Sequence, residues 1–334
     1  MIFKEGQSFF FLVIACFMVT SALILIQDGP EKIFTASDYS PETPPLYISI
    51  YEPSAEEKII IYPANPKPGD FLILEASPIS GQAEINIDFD FPGAVSELYR
   101  VGNLLYTIIG VSYETDPGSY DLRIQVQDQE NPNRTLETTV NLSEKTFQTA
   151  RFSMPARVTA GWTAERLAED REKVRQARSN SKSYPLWTDV FIQPLEGRVT
   201  SEYGAIRVIN NNPPRRHAGI DIAEETGTPI SAPNSGIVRL ADDLLSGGKT
   251  VIIDHGLGLS STYMHLDSIK ISEGQAVKQE EIIGTLGMTG YATGPHLHWE
   301  VNLNGRPVNP EQLIDNDLLW IPPAYVQKKL SSGN

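Results

Sequence analysis

"HLHWEV", residues 296–301, alternates polar and apolar side chains without a break. In an extended strand His296, His298 and Glu300 share one face, while Leu297, Trp299 and Val301 pack behind them. A helix would turn the two imidazoles about 200° apart, so only a strand makes them co-facial. Two co-facial histidines followed by an acid suit a metal site on a sheet with an apolar backing. A pair of ordinary strand histidines fits this hexapeptide as well, so the surrounding sequence has to separate the two readings.

Working outward, all five histidines of the 334-residue chain lie at 217, 255, 265, 296 and 298. In "HAGIDI" (217–222), strand parity puts His217, Gly219 and Asp221 on one face and Ala218, Ile220 and Ile222 on the other. Fully extended, His217 and Asp221 stand ~13 Å apart at ~3.3 Å per residue. That is the edge of what two side chains can reach around one ion, so a bend is expected between them, at Gly219. "TYMHL" (262–266) brings His265 at the end of another alternating run, and His255 in "IDHG" sits beside a glycine turn. A structural, hydrogen-bonded role is expected for His255.

From about 188 to 315 the pattern is β throughout: "TDVFIQP", "PISAP", "SGIVRLA", "TVIIDHG", "SSTYMHL", "EIIGTLG" and "HLHWEV", punctuated by glycine. Residues 46–150 carry a second set of short runs, among them "LYISIY", "FLILEAS", "LLYTIIGVSY" and "YDLRIQVQD". About seven such runs over roughly a hundred residues suggest an immunoglobulin-like sandwich. No histidine or nucleophile constellation falls there, so a spacer or docking role is expected. Between the two β regions, 151–187 reads as a linker containing a helix at 163–178, with Thr163 as N-cap and Glu165 in its first turn. Its apolar stripe of Ala164, Leu167, Val174 and Ala177 is thin, as in a solvated connector.

Residues 9–26 contain no charge and as a helix would span roughly 27 Å, close to a bilayer core. Residues 1–30 therefore read as a transmembrane anchor or signal segment, followed by a linker at 31–45. Lys4 precedes the run and Asp28 and Glu31 follow it, which favours an exported body. A cleaved signal peptide and lipoprotein processing at "VIAC" (13–16) are the alternatives. Residues 316–334 read as a C-terminal tail. The formal net charge of −15 argues against a nucleic-acid partner. The single cysteine, Cys16, permits no intramolecular disulfide.

Six segments in register, "RHAGIDIA", "GTPISAPNSGIV", "VIIDHGLGLSSTYMHL", "GQAV", "IIGTLGMTGYATGPHLHWEV" and "VNPEQLI", resemble the lysostaphin-like, LytM-type zinc metallopeptidases. "KPGDFLILEA" and "YTIIGVSYETDPGSYDL" are similar to the immunoglobulin-like N-terminal domain of some bacterial members. The resemblance implies a mainly β chain whose domain at 188–315 is an antiparallel sheet of the duplicated hybrid motif type. It implies one Zn2+ per chain, held by His217, Asp221 and His298, with a fourth position open for water. His265 and His296 match the two histidines that line the site, one to accept a proton from that water, the other to hydrogen-bond the oxyanion or orient the water. Asn210 sits near a family asparagine that contacts the substrate carbonyl, although "NNN" (210–212) leaves the register open.

The implied activity is endopeptidase cleavage of peptidoglycan stem or bridge peptides in the bacterial cell envelope, with the body in the periplasm or wall and the membrane reached through 9–26. A non-catalytic wall-binding regulator that activates another hydrolase is the alternative. A structural module dominated by the N-terminal half is the third reading. A D,D cross-link and a glycine-containing bridge both remain open as the bond cut. Contact between the N-terminal domain or linker and the active-site groove is expected to limit access.

Overall fold

A computed structural model describes residues 58–314, apart from 78, 80–82, 96–97, 102–103, 128–133, 188–189 and 211. The apolar run 9–26, the linker 31–45, the "LYISIY" run and the tail 316–334 lie outside the described residues. Among those described, no helix is long and apolar enough to cross a membrane.

The first eight strands are β1 (Lys58–Tyr62), β2 (Phe71–Ser77), β3 (Glu84–Phe89), β4 (Gly93–Val95), β5 (Tyr99–Val101), β6 (Leu104–Val111), β7 (Gly118–Gln127) and β8 (Arg134–Leu142). They form two sheets, one of order β1-β2-β6-β4 with β5 also on β6, the other β3-β7-β8. Leu122, Ile124 and Val126 of β7 are fully buried between them, facing Leu72, Leu74, Leu105 and Ile109. This is a two-sheet sandwich, closed by period-two alternation.

The outer face of its larger sheet is also apolar. Every residue of β6 is buried, so β6 is covered on both sides. Phe71 and Ile73 of β2 and Tyr106 and Ile108 of β6 join one continuous core with Ile220, Ile222, Tyr263, Trp299 and Val301 of the second β region. Polar ties seal the seam. The Phe71 N–H donates to Gln312 Oε1 at 2.7 Å, and the Asn309 N–H donates to the Gly69 carbonyl at 2.9 Å. Tyr203, buried at the same seam, donates from its hydroxyl to the Pro307 carbonyl at 2.9 Å. A free spacer would leave that sheet face exposed to water.

After β9 (Thr149–Phe152) comes α1 (Ala164–Ser179), with the Thr163 hydroxyl accepting from the Arg166 N–H at 3.2 Å. Sequence alone reads α1 as a solvated connector, but it docks. Ala177 and Val174 pack on Leu240, Leu244 and Ile252. Buried Asp170 accepts from the Leu245 N–H at 2.7 Å, and Lys173 pairs with Asp242 at 2.6 Å.

The remaining strands are β10 (Arg198–Ser201), β11 (Ile206–Ile209), β12 (Arg215–Arg216), β13 (Gly219–Ala223), β14 (Pro229–Ser231), β15 (Gly236–Leu244), β16 (Gly248–Gly256), β17 (Leu259–Ile269), β18 (Ala276–Val277), β19 (Ile282–Leu286), β20 (Leu297–Leu303) and β21 (Arg306–Val308). The large sheet runs β10-β13-β20-β17-β16-β15-β18, with β21 on β20 and β19 bridging β17 and β14. "TDVFIQP" forms no strand among its described residues. Phe191 is a core plug instead, stacked edge-on against His255 with ring centroids 5.0 Å apart.

Candidate metal centre

β13 and β20 run antiparallel with Asp221 directly opposite His298. On this face β20 also carries Glu300, while Leu297, Trp299 and Val301 are buried in the core behind. His217 lies just before β13, where strand pairing lapses at 217–218. This break in pairing adjoins Gly219, where a bend is expected. Gly219 also serves a packing need, because a Cβ there would meet the Trp299 carbonyl oxygen at 2.2 Å. The result is a tight buried cluster. His217 Nε2 lies 3.0 Å from both Asp221 Oδ1 and His298 Nδ1, and His298 Nδ1 lies 2.9 Å from Asp221 Oδ1.

The far side of each ring fixes which nitrogen faces the cluster. A carbonyl only accepts, so His217 Nδ1–H donates to the Glu202 carbonyl at 2.8 Å and leaves Nε2 pointing inward. His298 turns Nε2 towards the Glu300 carboxylate at 3.9 Å and Nδ1 towards Asp221. An imidazole whose outer N–H meets a carbonyl or carboxylate is the arrangement that orients a metal ligand. His217, Asp221 and His298 thus present two imidazole nitrogens and one carboxylate oxygen, all within 4.8 Å of one another. That donor set fits a metal ion.

His265 and His296 stand beside the cluster with ring centroids 4.7 Å apart. His296 directly precedes β20, donates from Nδ1 to the Gly294 carbonyl at 2.9 Å, and brings Nε2 to 3.8 Å from Asp221 Oδ1. His265 donates from Nδ1 to the Thr289 carbonyl at 2.8 Å. It reaches this face through a bulge. Simple alternation would place it with Tyr263, in the core. Across the β16–β17 pairing, Lys249 and Val251 face Leu266 and Tyr263, so two residues stand opposite Thr250 alone. His265 takes up the extra residue at φ 65°, a left-handed conformation costing a side chain about 1–3 kcal/mol.

The electrostatics are those of a cluster held by protons. Burial raises the pKa of Asp221, but hydrogen bonds from His217 and His298 outweigh it, and the carboxyl stays well below the usual range. Burial would depress His298, yet Asp221 and Glu300 raise it to about 9. Burial lowers His217, and burial with the neighbouring His296 and His298 pushes His265 down to about 3. Metal binding would replace protons in this cluster.

Two supporting residues carried no sequence signal. Arg207 of β11 donates to Asp221 Oδ2 and to Ser201 Oγ, occupying the carboxylate oxygen that faces away from the histidines. Arg178 of α1 donates to Glu300 Oε1 and to Thr262 Oγ1, both at 3.1 Å, and so backs the carboxylate that orients His298. Asn210 does not join the cluster. Its amide pairs with the Met154 backbone in both directions, at 2.8 and 2.9 Å, at a left-handed φ of 52°. His255 is fully buried, donating from Nδ1 to the Ser235 carbonyl at 2.8 Å and accepting from Ser261 Oγ at 2.7 Å.

A groove of about 1090 Å³ abuts the cluster, with Glu300 and Arg207 in its wall. Its lining comes from 159–181 and from the region after residue 200. No described residue of the sandwich lines the groove, whereas residues 159–181 of the linker do.

Residues 215–310 match Peptidase family M23. They form a peptidase family M23 domain. The chain is 38% identical over 113 residues to the peptidoglycan DD-endopeptidase ShyA of Vibrio cholerae, covering 31% of this chain and 26% of that one. It is 43% identical over 96 residues to the DD-carboxypeptidase/endopeptidase Mpg of Neisseria meningitidis, covering 29% and 22%. The alignments thus span about a quarter of the length of these relatives. A crystal structure of a candidate M23 peptidase from Pseudomonas aeruginosa matches with TM-score 0.52 and 26% identity, over 72% of this chain and 96% of that one. That likeness extends well beyond the M23 domain itself.

Proposed function

We propose that the chain is a zinc metalloendopeptidase that hydrolyses amide bonds in peptidoglycan peptide cross-links. The observation that carries this reading is the donor set, two oriented imidazole nitrogens and one carboxylate oxygen, with two further histidines on the same face. His217, Asp221 and His298 would hold the ion. Zinc there would polarise the scissile carbonyl and lower the pKa of a water towards ~7. Three protein ligands leave one position open, which distinguishes a catalytic from a structural site. His265, kept neutral by burial and with Nδ1 already donating, offers its Nε2 lone pair as proton acceptor for the attacking water. His296, at the cluster's edge, suits hydrogen bonding to the oxygen that gains charge.

The names of the relatives favour the D,D bond over a glycine bridge. We further read residues 9–26 as a membrane anchor, the body as extracytoplasmic, and the sandwich as immunoglobulin-like.

Purified peptidoglycan incubated with the full chain and zinc should release muropeptides cut at one bond type, identified by mass spectrometry. No release in excess zinc would overturn the reading.

A further inference from the structure

The chain carries 42 acidic against 27 basic residues, yet the groove beside the metal centre has the opposite balance. Five arginines line it (Arg171, Arg175, Arg178, Arg207 and Arg215) against two carboxylates, Asp170 and Glu300. Both carboxylates are already committed. Asp170 accepts from the Leu245 N–H, and Glu300 accepts from Arg178. Arg175 pairs with Glu172 and Arg207 with Asp221. The side chains of Arg171, on α1, and Arg215, on β12, make no ion pair or hydrogen bond among the described residues, and both residues are exposed. The same groove offers apolar contact from Ile209, Leu244 and Met264.

Free guanidinium groups over an apolar floor suit a ligand with carboxylates on a short aliphatic scaffold. Net negative charge elsewhere repels such a ligand, so a local basic groove selects where it lands. We propose that Arg171 and Arg215 bind free carboxylates of an anionic peptide and thereby set the specificity of the metal centre for carboxylate-bearing cross-links. This rests on the endopeptidase reading, and names the charged groups by which the site distinguishes one peptide from another. α1 is then a wall of the binding site rather than a connector, and Arg171 a specificity residue supplied from outside the M23 domain.

The test separates binding from cleavage. The full chain is titrated calorimetrically, in chelator, with a cross-linked muropeptide dimer bearing free carboxylates and with the same dimer after conversion of those carboxylates to amides. The amidated dimer should bind about tenfold more weakly. The double variant R171Q/R215Q should lose about tenfold for the acidic dimer and no longer distinguish the two, while R171K/R215K should keep most of the discrimination. Rising salt should weaken only the acidic dimer. Equal affinity for both dimers, no detectable binding of either, or unaltered discrimination by R171Q/R215Q would overturn the proposal. With zinc restored, cleavage of both dimers at equal KM sinks this proposal and leaves the endopeptidase reading standing. Discrimination in binding without cleavage of either does the reverse.

Discussion

Replacing Arg178 by Met keeps most of the side-chain stem and removes the charge that backs Glu300. Both groups are largely shielded, with side-chain exposures of 14% and 7%. Burial pushes the Glu300 carboxyl up, and Arg178, with His298 and Asn302, outweighs that and holds it at about 2. Breaking a buried pair by removing one partner costs about 3–5 kcal/mol, because the survivor is left as an uncompensated charge. Asn302 and His298 still face Glu300 in this variant, so the cost falls just below that range, at about 2–3 kcal/mol. Replacing both partners, as R178M/E300Q, should recover most of that loss, giving a coupling energy of about 2 kcal/mol. Urea unfolding of the wild type, both single variants and the double variant, in metal-free buffer, measures each corner of the cycle. Glu300→Gln should also weaken zinc binding about 10–100-fold by loosening the orientation of His298, measured by competition with a chromophoric chelator. A cost below about 0.5 kcal/mol for R178M, or additive effects in R178M/E300Q, would refute the idea that α1 supports the metal centre.

His217→Ala should abolish stoichiometric zinc binding together with activity, whereas His296→Ala should keep the metal and lose activity; metal analysis beside muropeptide release separates the two. His255 is neutral in the fold, its pKa depressed by burial to about 4 from 6.5. Above pH 6.5 it adds no pH dependence, and between 6.5 and 4 only the unfolded chain takes the proton, so stability falls as pH falls, by at most about 3 kcal/mol. A His255→Gln variant should show a flatter urea-midpoint profile across that window, and an unchanged slope would contradict this account. Gly219→Ala should destabilise by about 2 kcal/mol or more, since its Cβ would meet backbone and not a movable side chain. A thermal midpoint within 1 °C of wild type, or about that, would mean β13 and β20 separate at little cost.

Period-two alternation is a local property, and it sufficed for much of this protein. It put His298 and Glu300 on one face of β20 with Trp299 behind, and Leu122, Ile124 and Val126 into the sandwich core. The order of six motifs pointed to the M23 domain, and Thr163 marked the start of α1. Other features depend on partners distant in sequence, which local pattern does not encode. The register of β13 against β20 sets Asp221 opposite His298 across 77 residues. The bulge in β17 is defined only by its pairing with β16, and it alone turns His265 out of the core. The motif resemblance puts Asn210 near a substrate-contacting asparagine, but the Met154 backbone takes up its amide. Arg207 and Arg178 carry no signal in the sequence, and only folding brings each against a buried carboxylate. Sequence by itself determined which residues could face a metal ion. The tertiary structure decided which of them meet, because meeting requires hydrogen-bonded register, and register is settled between strands and not within one.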